Sequence, residues 1–137
     1  MLRNTIMTVA LVAVLGLVGL GVAHAEDWYV EGCVYFTETN GEPVPCVDVY
    51  LYSSSGCFST PIDTTVTDAA GHFSFLRDSP DSVWVQIVFD ADKVCLFCAG
   101  GGYHGTCSDE TSDCRGPVTI QTEDLHFNLD QPDCECR

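Results

Sequence analysis

The placement of nine cysteines constrains the fold of this chain more than any other feature, because all of them lie after residue 25. They are Cys33, Cys46, Cys57, Cys95, Cys98, Cys107, Cys114, Cys134 and Cys136. Such a density is typical of small exported domains, since disulfides form and persist in oxidising compartments. The odd number leaves one thiol over in a scheme made only of disulfides. The sequence decides neither which thiol that is nor how the others pair.

The first 25 residues predict a secretory signal peptide. Arg3 precedes an apolar run from Val9 to Ala23, and Ala23-His24-Ala25 places small residues where a signal peptidase reads them. We therefore expect a secreted or extracytoplasmic protein with one domain over residues 26–137 and no membrane insertion after cleavage. An uncleaved membrane anchor is the alternative, because the apolar stretch is about long enough to span a bilayer.

The charge of the chain excludes several classes of partner. Its formal net charge is −15, and all 20 acidic side chains follow the predicted signal peptide. Because a strong polyanion repels phosphate backbones and anionic lipids, we expect no nucleic-acid partner. The acidic cluster at residues 109–113 lacks the alternating Asp, central Gly and closing Glu of a calcium loop, so it gives calcium binding no support.

Apolar and polar residues alternate with a period of two along most of the exported chain. The alternating runs cover residues 29–36, 46–52, 64–67, 72–76, 83–89, 118–122 and 125–129. Strict alternation buries one face of a strand and leaves the other in water, as in antiparallel sheets. Asp68-Ala69-Ala70-Gly71 predicts a tight hairpin turn between two of these runs. About seven short strands separated by turns predict an all-β fold, an antiparallel Greek-key β-sandwich stapled by disulfides.

Two cysteine-rich segments interrupt this pattern. Residues 95–116 contain four cysteines and five glycines with little alternation, which predicts a Cys/Gly-rich loop inserted before the last two strands. Residues 130–137 form a tail, and we expect any intermolecular disulfide to involve its Cys134 or Cys136.

Several stretches resemble the carboxypeptidase regulatory-like family over about residues 29–129. They are Val30-x-Gly32-x-Val34, Gly41-Glu42-Pro43-Val44-Pro45-Cys46-Val47-x-Val49-x-Leu51, Thr67-Asp68-Ala69-Ala70-Gly71-His72-Phe73-Ser74-Phe75 and the ending Phe127-Asn128-Leu129. The resemblance implies a prealbumin-like sandwich, grouped with carbohydrate-binding-like folds, and a non-catalytic accessory domain. The chain departs from the family at Cys46, where a small residue, often Gly, is usual, and at residues 95–116, which have no counterpart.

No sequence pattern supports catalysis. The exported histidines, His72, His104 and His126, are far apart in the sequence, unlike the close His pair that holds iron in the intradiol dioxygenases of similar fold. No serine lies in a nucleophile elbow, and no carboxylate pair stands out for acid–base work. We therefore predict that the protein is not an enzyme and needs no cofactor.

One cluster of residue types suggests an alternative function in metal binding. Cys95, Cys98, His104 and Cys107 have the ligand types of a zinc site, three thiolates and one imidazole. Their spacing differs from that of a zinc knuckle, and export favours oxidation of the thiols. We therefore expect disulfides here and keep zinc as the alternative.

Four aromatic residues are the candidate binding residues, because they fall on the polar side of their strands. They are Tyr35, Tyr50, Tyr52 and Trp84. Exposed rings of this kind can stack on sugars or contact an apolar protein surface. Cross-strand pairing, or cover from the inserted loop, is the favoured alternative. The sequence thus predicts a secreted non-enzymatic module that binds protein or glycan or has a structural role.

Overall fold

The computed structural model describes residues 28–37, 41–119 and 125–137. The predicted signal peptide and part of the run at 118–122 lie outside these residues. The described residues form ten strands: β1 (Trp28–Phe36), β2 (Asp48–Tyr52), β3 (Asp63–Val66), β4 (His72–Arg77), β5 (Val83–Phe89), β6 (Tyr103–Gly105), β7 (Glu110–Thr111), β8 (Arg115–Val118), β9 (Leu125–Leu129) and β10 (Cys134–Cys136). Within the described residues, no helix is long and apolar enough to cross a membrane.

These strands form two larger sheets and one small one. The first sheet has the order β4-β1-β9, the second has the order β3-β2-β5-β7 with β8 also pairing with β5, and β6 pairs with β10. The predicted all-β, disulfide-stapled fold is confirmed. The antiparallel prediction fails at one pair, because β9 runs parallel to β1. Parallel neighbours need a long crossover, and most of the chain separates these two strands.

One hydrophobic core joins the two larger sheets. Val34 and Phe36 of β1, together with Ile87 and Phe89 of β5, belong to one cluster of buried side chains. The rings of Phe36 and Phe89 meet edge to face at 5.9 Å between centroids. Aromatic pairs favour this geometry, and the contact ties the two sheets together.

The turn at Asp68 has the predicted local geometry but a different setting. One carboxylate oxygen of Asp68 accepts hydrogen bonds from the backbone N–H of Ala70 (2.9 Å) and of His72 (3.0 Å). Gly71 has φ +70°, in the left-handed region that favours glycine. The strands on either side, β3 and β4, belong to different sheets, so the turn is a corner between sheets and the predicted hairpin is wrong.

Four disulfides use eight of the nine cysteines, and Cys33 is the free one. The pairs are Cys46–Cys95, Cys57–Cys114, Cys98–Cys136 and Cys107–Cys134. Both tail cysteines are therefore bonded within the chain, which leaves no thiol at Cys134 or Cys136 for a bond to a second chain. The segment predicted as a loop, 95–116, contains β6, β7 and the start of β8. The tail strand β10 supplies β6 with a partner, whereas β7 and β8 both pair with β5.

Candidate binding surface

The sulfurs proposed for the zinc alternative lie in three separate disulfides. Cys95 is bonded to Cys46, Cys98 to Cys136, and Cys107 to Cys134. A disulfide sulfur is not a thiolate and does not act as a zinc ligand. The structure therefore does not support a zinc site at Cys95, Cys98, His104 and Cys107.

The four aromatic candidates do not form one surface. Tyr50, Tyr52 and Trp84 lie on the outer face of the second sheet, with Tyr52 and Trp84 in register. Tyr35 lies on the first sheet, where its ring stacks against that of His126 at 6.1 Å between centroids. The prediction grouped residues that share a polarity pattern, but polarity along a strand does not say which sheet the strand joins.

Of the three rings on the second sheet, Tyr52 is buried and Trp84 is half-buried. Tyr52 is only 7 % exposed. Burial, and then the nearby Tyr50, raises the pKa of the Tyr52 hydroxyl. The Gly116 backbone lies against the Trp84 indole so closely that an added Cβ would be 2.3 Å from the ring. Gly116 belongs to the cysteine-rich segment, so this end of the segment lies against Trp84.

The polar neighbour of these rings is also engaged. Asp48 lies beside Tyr50 on β2, and its Oδ1 is 2.8 Å from the Lys93 Nζ. Lys93 is the chain's single lysine. A sugar hydroxyl would therefore have to compete with an ion pair for this carboxylate.

A separate unit stands beside the sandwich, and we call it the disulfide lobe. It consists of residues 94–107 and 130–137, in which β6 pairs with β10. Two disulfides join its two segments, and the Cys46–Cys95 bond joins it to the segment before β2. These links hold short strands that have little core of their own, which is the usual role of disulfides in small exported folds.

Tyr103 fixes the disulfide lobe to the core, and the sequence analysis did not identify it. Its ring meets Phe89 at 4.8 Å and Phe36 at 6.3 Å between centroids, both edge to face. Its hydroxyl donates a hydrogen bond to the Pro45 carbonyl. Burial raises the pKa of this hydroxyl far above its usual range. A lone aromatic residue in a glycine-rich stretch gave no periodic signal that could have predicted this role.

One turn of the disulfide lobe exposes apolar side chains, and we call Val94, Leu96 and Phe97 the apolar tip. These side chains are 72 %, 93 % and 58 % exposed, whereas Cys95 and Cys98 between and beside them are 0 % and 3 % exposed. The Cys98 N–H donates to the Cys95 carbonyl at 3.0 Å, and the Cys95 N–H donates to the Gly101 carbonyl at 3.1 Å. The tip is thus a tight turn with buried anchors and exposed apolar groups.

A cleft of about 260 Å³ lies beside the apolar tip. Its walls are residues 91–94 and 100–104. Asp92 lines it, and Asp90, two residues earlier in the chain, is also exposed and accepts a hydrogen bond from the Asp92 N–H at 3.0 Å. An apolar projection with acidic neighbours can insert into an apolar pocket whose border is basic.

Neither a family model nor a curated protein nor a solved structure matches this chain. What the surface can bind therefore follows from its own residues. The apolar tip brings three exposed apolar side chains together within four residues of chain, on a backbone held by disulfides and hydrogen bonds.

Proposed function

We propose that this protein is a secreted, non-enzymatic β-sandwich module of the carboxypeptidase regulatory-like kind that binds a partner protein through the apolar tip. The observation that carries the proposal is the 93 % exposure of Leu96 and the 58 % exposure of Phe97 on a turn anchored by the buried, disulfide-bonded Cys95 and Cys98. Clustered apolar groups at a soluble surface mark interaction sites. Because the turn is already rigid, little conformational entropy is lost on binding.

Three observations support the export and family parts of the proposal. Four disulfides are compatible with an extracellular location. Cys46, the residue that stands where the family often has Gly, has φ +61°, a conformation that glycine adopts most easily. The hydrogen-bonded turn from Asp68 to Gly71 fits the family's Thr-Asp-x-x-Gly stretch.

The charge of the chain defines the chemistry of the partner. With a net charge of −15, this protein is attracted to positive surfaces and repelled by anionic membranes. The exposed Asp90 and Asp92 place negative charge next to the apolar tip. The partner is therefore a protein with an apolar pocket bordered by Lys or Arg. A glycan is the less favoured partner, because the candidate aromatic platform is largely covered.

Site-specific photo-cross-linking tests this proposal. A photoreactive residue replaces Leu96 in one variant and Phe58 in the matched control, since Phe58 is 96 % exposed but lies outside the tip. We expect position 96 to give one discrete protein adduct in the exterior fraction of producing cells, and position 58 to give none. The adduct is then identified by mass spectrometry and purified for binding measurements.

Reconstitution with the purified partner decides the outcome. Burying a Leu or Phe side chain contributes about 1.5–3 kcal/mol, so Leu96→Ser and Phe97→Ser should each weaken binding at least about tenfold. Phe58→Ser should leave the affinity unchanged, and added salt should slow association. Equal affinity of the tip variants overturns the proposal. Binding to an oligosaccharide that both tip variants retain also overturns it, in favour of the glycan alternative.

A further inference from the structure

Three metal-ligating side chains form a row across the outer face of the first sheet, and we call it the Cys–His row. Cys33 in β1 is in register with His72 of β4 on one side and with His126 of β9 on the other. Residues paired in this way project from the same face of a sheet. Two imidazoles therefore flank the one thiol that no disulfide uses.

The position of Cys33 prevents a disulfide to a second copy docked face to face. Packed sheets lie about 10 Å apart, whereas disulfide-bonded Cα atoms lie about 4.4–6.8 Å apart. Cys33 lies on the central strand, with a longer side chain on each neighbouring strand. Cys33 is half-buried, and the register places a histidine on the strand at each side of it, so the position suits a small ligand better than a second protein surface.

A metal ion above Cys33 would be within reach of both imidazoles. Neighbouring strands lie about 4.8 Å apart, and zinc binds sulfur at about 2.3 Å and imidazole nitrogen at about 2.0–2.1 Å. In the present side-chain orientations, no three ligands within the described ranges are grouped to hold an ion. The His126 ring is stacked on Tyr35 instead, so binding requires the imidazoles to rotate towards Cys33.

We propose that Cys33, His72 and His126 bind one zinc ion, with the fourth position left to water or another ligand. The thiol releases its proton to solvent when the zinc–sulfur bond forms, and the two histidines bind as neutral imidazoles. One thiolate and two imidazoles form a ligand set that zinc accepts well. The net charge of −15 favours the approach of a cation. The three residues lie on β1, β4 and β9, none of which contains the apolar tip, so this proposal does not depend on the tip.

Titration of the exported protein with its four disulfides intact tests the proposal. A thiol assay first establishes one free thiol per chain, and calorimetry then measures Zn²⁺ binding. Co²⁺ serves as the spectroscopic probe, because a thiolate-to-cobalt charge-transfer band reports the sulfur ligand. The variants are Cys33→Ser, His72→Gln and His126→Gln. His104→Gln is the matched control, since His104 is exposed and lies in the disulfide lobe.

We expect one Zn²⁺ per chain and a charge-transfer band that Cys33→Ser abolishes. Each variant of His72 or His126 should bind Zn²⁺ at least about tenfold more weakly. Loss of a side chain that only hydrogen-bonds to a metal ligand already costs about tenfold in affinity, and loss of a direct ligand should cost no less. His104→Gln should bind Zn²⁺ with the affinity of the wild type. The melting temperature of each variant without metal shows whether the variant is folded. Alkylation of Cys33 in the folded wild type should also abolish the band, which keeps the test decisive if Cys33→Ser fails to fold.

Four results would overturn the proposal. The first is the absence of a charge-transfer band with Co²⁺ in the wild type. The second is an unchanged band and an unchanged Zn²⁺ affinity in both His72→Gln and His126→Gln. The third is an equal loss of affinity in His104→Gln. The fourth is a Cys33 that is already joined to a small thiol in protein recovered from the cell exterior.

Discussion

Cys46 and Cys95 are joined across 49 residues, with their Cα atoms 5.8 Å apart. The bond connects the segment before β2 to the base of the apolar tip. Cys46 lies in the left-handed backbone region and Cys95 is fully buried. The tip therefore owes its fixed position to a covalent link with the sandwich and not to packing of its own side chains.

Removing this link should destabilise the whole domain. For a loop of this size, the chain-entropy model gives about 4 kcal/mol. The test variant is Cys46→Gly with Cys95→Ala, because glycine suits the φ of +61° at position 46. Urea unfolding monitored by fluorescence measures the loss. Cys33→Ala, which breaks no disulfide, is the control and should lose much less; equal losses would contradict the structural role of the bond.

The pairing of the cysteines should be recovered directly by peptide mapping. We expect Cys98–Cys136 and Cys107–Cys134 in the disulfide lobe and a single free thiol at Cys33. Non-reducing mass spectrometry after blocking of free thiols gives the map. A chain in which Cys134 or Cys136 carries the blocking group would show that the tail is not closed as described.

Local alternation predicted most strands, because a half-buried strand leaves a period-two signal in its own residues. The run at 83–89 is β5, and the run at 125–129 is β9. The same signal does not encode which strands become neighbours. The parallel pairing of β9 with β1 and the separation of β3 from β4 are decided by the shared core and not by any local pattern.

The disulfide lobe could not be predicted for a different reason. β6 and β10 have three residues each, too few to show a period, and they lie about thirty residues apart. Their pairing depends on two disulfides whose connectivity the sequence leaves open. The apolar tip was also missed, because Leu96 and Phe97 between two cysteines looked like part of a loop.

Alkaline pH should destabilise the fold through Tyr103. Burial raises the pKa of its hydroxyl in the folded protein, so the folded state keeps a proton that the unfolded state releases above about pH 10. The unfolded state then binds fewer protons, and the free energy of unfolding falls as pH rises through that range. We expect Tyr103→Phe to reduce this slope in urea unfolding between about pH 9 and 11.

Two controls make the alkaline experiment specific to Tyr103. All variants carry Cys33→Ser, because a free thiolate exchanges with disulfides at high pH. Tyr29→Phe changes an exposed ring, 45 % accessible, and should keep the slope of the parent. Tyr103→Phe should also cost about 0.5–1.5 kcal/mol at neutral pH through the lost bond to the Pro45 carbonyl. An unchanged slope in Tyr103→Phe would mean that Tyr103 is not buried against the core.

Polar substitution at the apolar tip should leave stability almost unchanged. Leu96 is 93 % exposed, so Leu96→Ser removes little packing and should shift the free energy of unfolding by less than about 0.5 kcal/mol. Leu51→Ala is the contrasting variant, because Leu51 is fully buried between the sheets and its truncation should cost about 2–5 kcal/mol. Chemical unfolding of both variants makes the comparison. A loss in Leu96→Ser that approaches the loss in Leu51→Ala would show that the tip packs within the chain, and an apolar group used for internal packing is not available to a partner.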